Sequence, residues 1–265
     1  MSQAQMHIEL ITNTPNPERI IATAAKLCYS QSCVADLMES MSDLQVHSFL
    51  ERLNSMGHES PVEHVSFSFA VEGVSRVLET QLVRHRLASY SIQSGRYVKR
   101  LDPEFVYPRH IARIDEARER YERHLEESVE AYNEIIDIIL KQLIREHLDL
   151  EDGTEISLTD FYDEDRKTYL RLEKEAIEDA RYAYPQGLAT KIFMTMNART
   201  LMNFLKHRGC RRAQDEINQL AWAIRDLVQP VAPTLVKVMG PSCATKGKCS
   251  EGPMTCKNPY PRFDK

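Results

Sequence analysis

Between residues 65 and 82 the hydrophobic period of the chain changes from two to between three and four, and that change constrains the fold more than any other feature. Val65-Ser66-Phe67-Ser68-Phe69-Ala70-Val71 alternates large apolar with small residues, the pattern of a half-buried strand that Gly73 is expected to end. Val74, Val77, Leu78 and Leu82 then recur at helical spacing, so the segment running to Arg84 reads as a helix with Arg84-His85-Arg86 at its polar end. Residues 7–12 (HIELIT) read as a further short strand, and Pro15-Asn16-Pro17 as a turn opening a helix. Residues 88–95 (ASYSIQSG) have no helical period and read as a loop.

A long charged helix is expected over 109–148, with Ile135, Ile136, Ile139, Leu140 and Leu143 as its apolar stripe. The acidic, turn-rich stretch 149–165 reads as a surface insertion. Helices over 166–182, from 198 and over 214–228 follow, with Pro185-Gln186-Gly187 as a breaker. At 265 residues, 42% hydrophobic and 28% charged, the chain can bury a large core. One domain is expected over 1–235, carrying a helical and acidic insertion around 109–166, with a tail over 236–265.

Residues 1–13 lack a basic segment followed by an apolar one, and no run of about 18 apolar residues exists. A cytoplasmic protein without a membrane partner is expected. A net charge of -5 argues against a coat for nucleic acid, which needs surplus Lys and Arg. Six cysteines, three of them in Cys243-x5-Cys249-x6-Cys256, form no disulfide framework. Zinc sites use closer pairs and four ligands, so a packed tail without metal is expected.

The densest chemistry lies between Gln81 and Tyr97, where Arg84, His85, Arg86, Ser94, Gly95 and Arg96 put forked cations beside backbone N–H groups open to close approach. That combination suits phosphate. Cations at a helix C-terminus also favour the helix dipole, and basic triplets are often merely solvated. The dipole accounts for Arg84 to Arg86 and leaves Ser94-Gly95-Arg96 unexplained.

Taken whole, the stretch resembles the signature of the flavin-dependent thymidylate synthases, Arg-His-Arg followed by Ser and Arg. His58-Glu59-Ser60-Pro61 upstream resembles that family's His-Glu-(Ser/Thr)-Pro segment. Arg181, then Asn197-Ala198-Arg199-Thr200-Leu201-Met202-Asn203-Phe204-Leu205 and Arg208 resemble its second signature. The likeness runs from about residue 7 to 230. It implies an α+β fold, mainly an antiparallel sheet packed with long helices; with no GxGxxG after a strand, that fold is not of the Rossmann type.

The resemblance implies that FAD meets Arg84, His85 and Arg86 together with Ser60, Asn197, Arg199 and Asn203, and that His58 lies near the flavin. Gln81, Arg84, Ser94, Gly95 and Arg96 would hold dUMP, with Arg181 and Arg208 at its pyrimidine side. Two positions depart from the family pattern. Ile92 stands where some members carry an acidic residue, leaving only backbone groups for the cofactor, and Arg212 stands where some have His, adding charge beside the flavin. The implied reaction methylates dUMP to dTMP with methylenetetrahydrofolate as carbon donor, FAD as hydride carrier and NADPH as reductant, releasing tetrahydrofolate. A homotetramer with sites shared between subunits is implied as well.

No Pro-Cys pair exists, so uracil activation is assigned to Arg208, and Cys210 is read as structural. Two rivals remain at this stage: an anion- or nucleic-acid-binding module, disfavoured by the acidity and the lack of an aromatic ladder, and a flavoprotein oxidoreductase that methylates nothing.

Overall fold

The computed structural model describes residues 2–100 and 102–263. In chain order the main elements are β1 (His7–Asn13), α1 (Pro17–Leu27), α2 (Val34–Ser40), α3 (Asp43–Met56), β2 (Ser66–Ser75), α4 (Arg76–Leu82), β3 (Ala88–Ile92), α5 (Arg109–Arg113), α6 (Asp115–His147), α7 (Leu158–Glu164), α8 (Arg166–Ala180), β4 (Ala189–Asn197), α9 (Ala198–Arg208), α10 (Asp215–Val228) and α11 (Ser242–Lys246). The strands form one antiparallel sheet in the order β1-β2-β4-β3, and with the long helices this is the expected α+β class. No helix among the described residues is long and apolar enough to cross a membrane.

The sheet order explains where the strand readings need correction. β2 lies between β1 and β4, and because the successive residues Phe67, Ser68 and Phe69 are all buried, the strand is covered on both faces rather than one. Ser68 Oγ meets Thr195 Oγ1 of β4 at 2.8 Å, which satisfies the small-residue face. Gly73 does not end β2. Its φ of +66° is open to a residue without Cβ, and the strand continues to Ser75. Residues 88–92 are a strand, not a loop, and β4 had no reading at all. β1 pairs with β2 from His7↔Glu72 to Asn13↔Phe67, with an irregularity between Leu10 and Thr12.

The chain forms two compact units. One is drawn chiefly from residues 92–190, with 75–77 joined to it. Its core packs Tyr132, Ile136, Leu140 and Ile144 of α6 against Leu172, Ala176 and Ile177 of α8, a stripe at four-residue spacing that buries one face of a highly charged helix. The expected 109–148 helix comes as two, because Ile114 is extended (φ -103°, ψ 110°). Asp115 and Glu116 then open α6 where the helix dipole favours anions. The 149–165 stretch is not wholly surface: its α7 buries Phe161 in the same core.

The other unit holds the sheet, with α10 against β1 and α9, and α1 against α2 and α3. The tail belongs to it. Leu235, Val236, Met239 and Ala244 are buried, and Trp222 of α10 meets Tyr260 and Phe263 at ring-centroid distances of 4.9 and 6.0 Å. Its three cysteines are free and partly exposed.

Candidate active site

α4 ends at Leu82, and a turn then carries Arg84-His85-Arg86 into β3. Tyr90 of β3 fixes that turn, since its hydroxyl lies 2.9 Å from the Leu82 carbonyl and 3.0 Å from that of His85. Burial pushes this phenol up to about 12. Thr200 of α9 donates to the Leu87 carbonyl at 3.0 Å, tying the turn to the helix that begins the second signature.

α9 starts where it does because Asn197 caps it, its Oδ1 accepting from Thr200 N at 2.9 Å. Leu201, Phe204 and Leu205 face the core, while Arg199, Asn203 and Lys206 recur at helical spacing on a wet face. On the sheet side, the Phe204 ring takes the His85 imidazole edge-on at 5.1 Å.

Arg208, at the end of α9, points Nε at His85 Nε2 (3.3 Å), with Nη1 3.5 Å from Gln81 Oε1. Gln81 in turn donates to Gln214 at 2.7 Å, and Asn218 holds the Arg208 carbonyl at 2.7 Å. Burial, then the charges of Arg208 and His207, lower the imidazole to about 4. His85 is therefore neutral near pH 7, and its Nε2 accepts from Arg208. Burial and the neighbouring Arg84 charge lower Arg208 below the usual guanidinium range, though far from neutrality.

His85 borders a cavity of about 940 Å³ whose wall also includes His58, Arg84, Arg86, Asn197, Arg199 and Asn203. Seven of the sequence-selected residues thus come to one surface. Ser60 sits between the lining residues Glu59 and Val62 but is not itself on the wall, and neither is Gln81 or Arg208. Arg212 forms an ion pair with Glu251 of the tail at 3.0 Å. The wall also holds Asn54, Lys206 and a stretch of the tail, which the sequence motifs did not indicate.

Ser94, Gly95, Arg96 and Arg181 fall in the 92–190 unit, as does Ile92 at the end of β3. Ser94 Oγ accepts from Arg96 N at 3.1 Å, and Arg96 pairs with Glu178 at 2.8 Å. Glu178 also takes Arg181 Nε at its carbonyl (3.0 Å). A Cβ on Gly95 would lie 3.6 Å from both Arg181 Cδ and Arg76 Nη2, so two arginines from distant segments close on one glycine. Arg76 was not anticipated. The signal was present: it opens α4, where the helix dipole disfavours a cation.

Among known proteins, a family model described as thymidylate synthase complementing protein matches residues 9–234. A protein of Clostridium tetani named flavin-dependent thymidylate synthase is 46% identical, over 94% of this chain and 92% of its own. Proteins of the same name from Geobacter sulfurreducens (39% identical, over 95% of this chain and 94% of that protein) and Nitratidesulfovibrio vulgaris (36%, over 98% of each) are similar throughout.

Proposed function

As the chain belongs to the flavin-dependent thymidylate synthase family, we propose that it methylates dUMP reductively to dTMP, with methylenetetrahydrofolate as carbon donor, FAD as hydride carrier and NADPH as reductant. The observation that carries this reading is the Arg208–His85–Gln81 group beside a cationic cavity of dinucleotide size.

The cavity suits FAD by its donor set: Arg84, Arg86 and Arg199 offer cations, and Asn197 and Asn203 offer amides. With Asn197 Oδ1 taken by the cap, its amide N–H groups are left to donate. These residues, with His58, His85 and, at its edge, Ser60, would hold the cofactor. Ile92 contributes backbone groups at most, and the Glu251 partner offsets the charge that Arg212 would bring. When bound, FAD supplies the hydride that completes the methyl group.

For dUMP, the reading assigns the phosphate to Ser94, Gly95 and Arg96, and further contacts to Gln81, Arg84, Arg181 and Arg208. Ser94 and the backbone at Gly95 can donate to a phosphate oxygen, and the guanidinium of Arg96 can exchange its Glu178 partner for one. Raising electron density at C5 of uracil places negative charge on O4 and N3. Arg208, partly desolvated and oriented by neutral His85, is suited to stabilise it. A neutral imidazole orients the guanidinium without adding a competing charge. A homotetramer, as in the family, would let more than one chain supply each nucleotide.

Purified protein given dUMP, methylenetetrahydrofolate and NADPH should form dTMP and tetrahydrofolate; no dTMP would overturn the reading. Arg208→Ala should lower kcat by about 10²–10³-fold with the fold intact, while Cys210→Ala should keep turnover. The reverse pattern would move uracil activation to the thiol.

A further inference from the structure

The family match ends at residue 234, but the cavity wall continues beyond it. Val238, Gly240, Ser242, Thr245 and Lys246 line the same space as Arg84 and Arg86. This stretch is held firmly. Arg225 donates to the carbonyls of Met239 (3.2 Å) and Val236 (3.4 Å) while its guanidinium lies 4.1 Å from the centre of the Phe263 ring. Phe263 N donates back to Ala244 O at 3.0 Å, and a Cβ on Gly240 would strike the Phe263 ring at 2.7 Å. Each contact fixes the backbone that presents Lys246.

The charges on the wall do not balance. Its acidic residues, Glu59 and Glu63, both engage Arg199. Arg84, Arg86, Lys206 and Lys246 have no carboxylate partner among the described residues. Unpaired cations around one cavity raise its potential and select an anionic ligand. In FAD the oxidised ring system and ribityl chain are neutral, so the negative charge resides on the diphosphate. Lysine suits such a ligand as a point charge at the end of a flexible stem.

Resting on the flavin reading above, we propose that Lys246, with Lys206 of α9, binds the FAD diphosphate, so that the C-terminal segment outside the family match is a working wall of the cofactor site. FAD binding to the full-length protein, followed by flavin fluorescence, tests this. Lys246→Ala should weaken binding about tenfold at low salt and Lys206→Ala/Lys246→Ala further, with the difference shrinking at high salt. Lys246→Arg should restore affinity, and melting temperatures should not move, since both lysines are exposed. Unchanged affinity in the double variant, or a loss that neither salt nor arginine alters, would overturn the assignment alone. Wild-type protein that takes up no FAD would overturn the flavin reading and this assignment with it.

Discussion

His85 shows how one side chain sets the electrostatics of its neighbourhood. Its imidazole is half-buried against Phe204 and faces Arg208, and burial lowers it from 6.5 to about 4. Between those values the unfolded chain takes up a proton that the folded chain refuses, so this residue favours folding above pH 6.5 and the benefit is lost as pH falls toward 4. The thermal midpoint should therefore drop across that window, and His85→Gln should flatten the drop. In an NMR titration the His85 ring signals should hold steady down to about pH 5; a midpoint near 6.5 would show that Arg208 and burial do not govern it.

At the scale of the element, α9 is a structural helix that also lines the cavity, and under the proposed reading Asn197 would serve both through opposite ends of one amide. Its oxygen caps Thr200 N while the residue lines the cavity. Asn197→Ala should cost about 1 kcal/mol of stability and weaken flavin binding. Asn197→Asp should keep the cap and its stability yet still lose affinity, because the donor is gone and a negative charge takes its place. If both variants bind FAD as the wild type does, the residue only caps. The edge strand β3 makes a related point. Its five residues, two of them serines, have little strand character alone, and pairing with β4 decides their conformation.

Across the whole chain, a buried carboxylate joins segments more than 200 residues apart. Glu18 of α1 accepts from Thr234 N at 2.6 Å and Leu235 N at 2.8 Å, and His47 of α3 approaches its other oxygen at 3.1 Å. These are the residues where the family match stops and the tail begins. Glu18→Ala would leave two buried N–H groups without acceptors, at about 1–3 kcal/mol each, and Glu18→Gln should recover part of the loss. Urea unfolding followed by the fluorescence of Trp222, the only tryptophan, measures both variants. Because that indole packs against Tyr260 and Phe263, an early emission change in Glu18→Ala would show the tail releasing first; a wild-type midpoint would refute the lock.

Local order determined what could be read without coordinates. Helical patterns and breakers located α6, α8, α9 and α10, a run of β-branched and apolar residues located β1, alternation located the start of β2, and the motif blocks named seven residues that do share one cavity wall. Such features are legible because period, capping and spacing act within a few residues. Only the tertiary structure decided that Gly73 lies inside a strand, that β3 and β4 pair, that Arg76 closes on Gly95, and that Lys246 reaches the cavity from the tail. Each depends on partners far along the chain, and a contact whose two sides are separated by tens or hundreds of residues leaves no period in either of them.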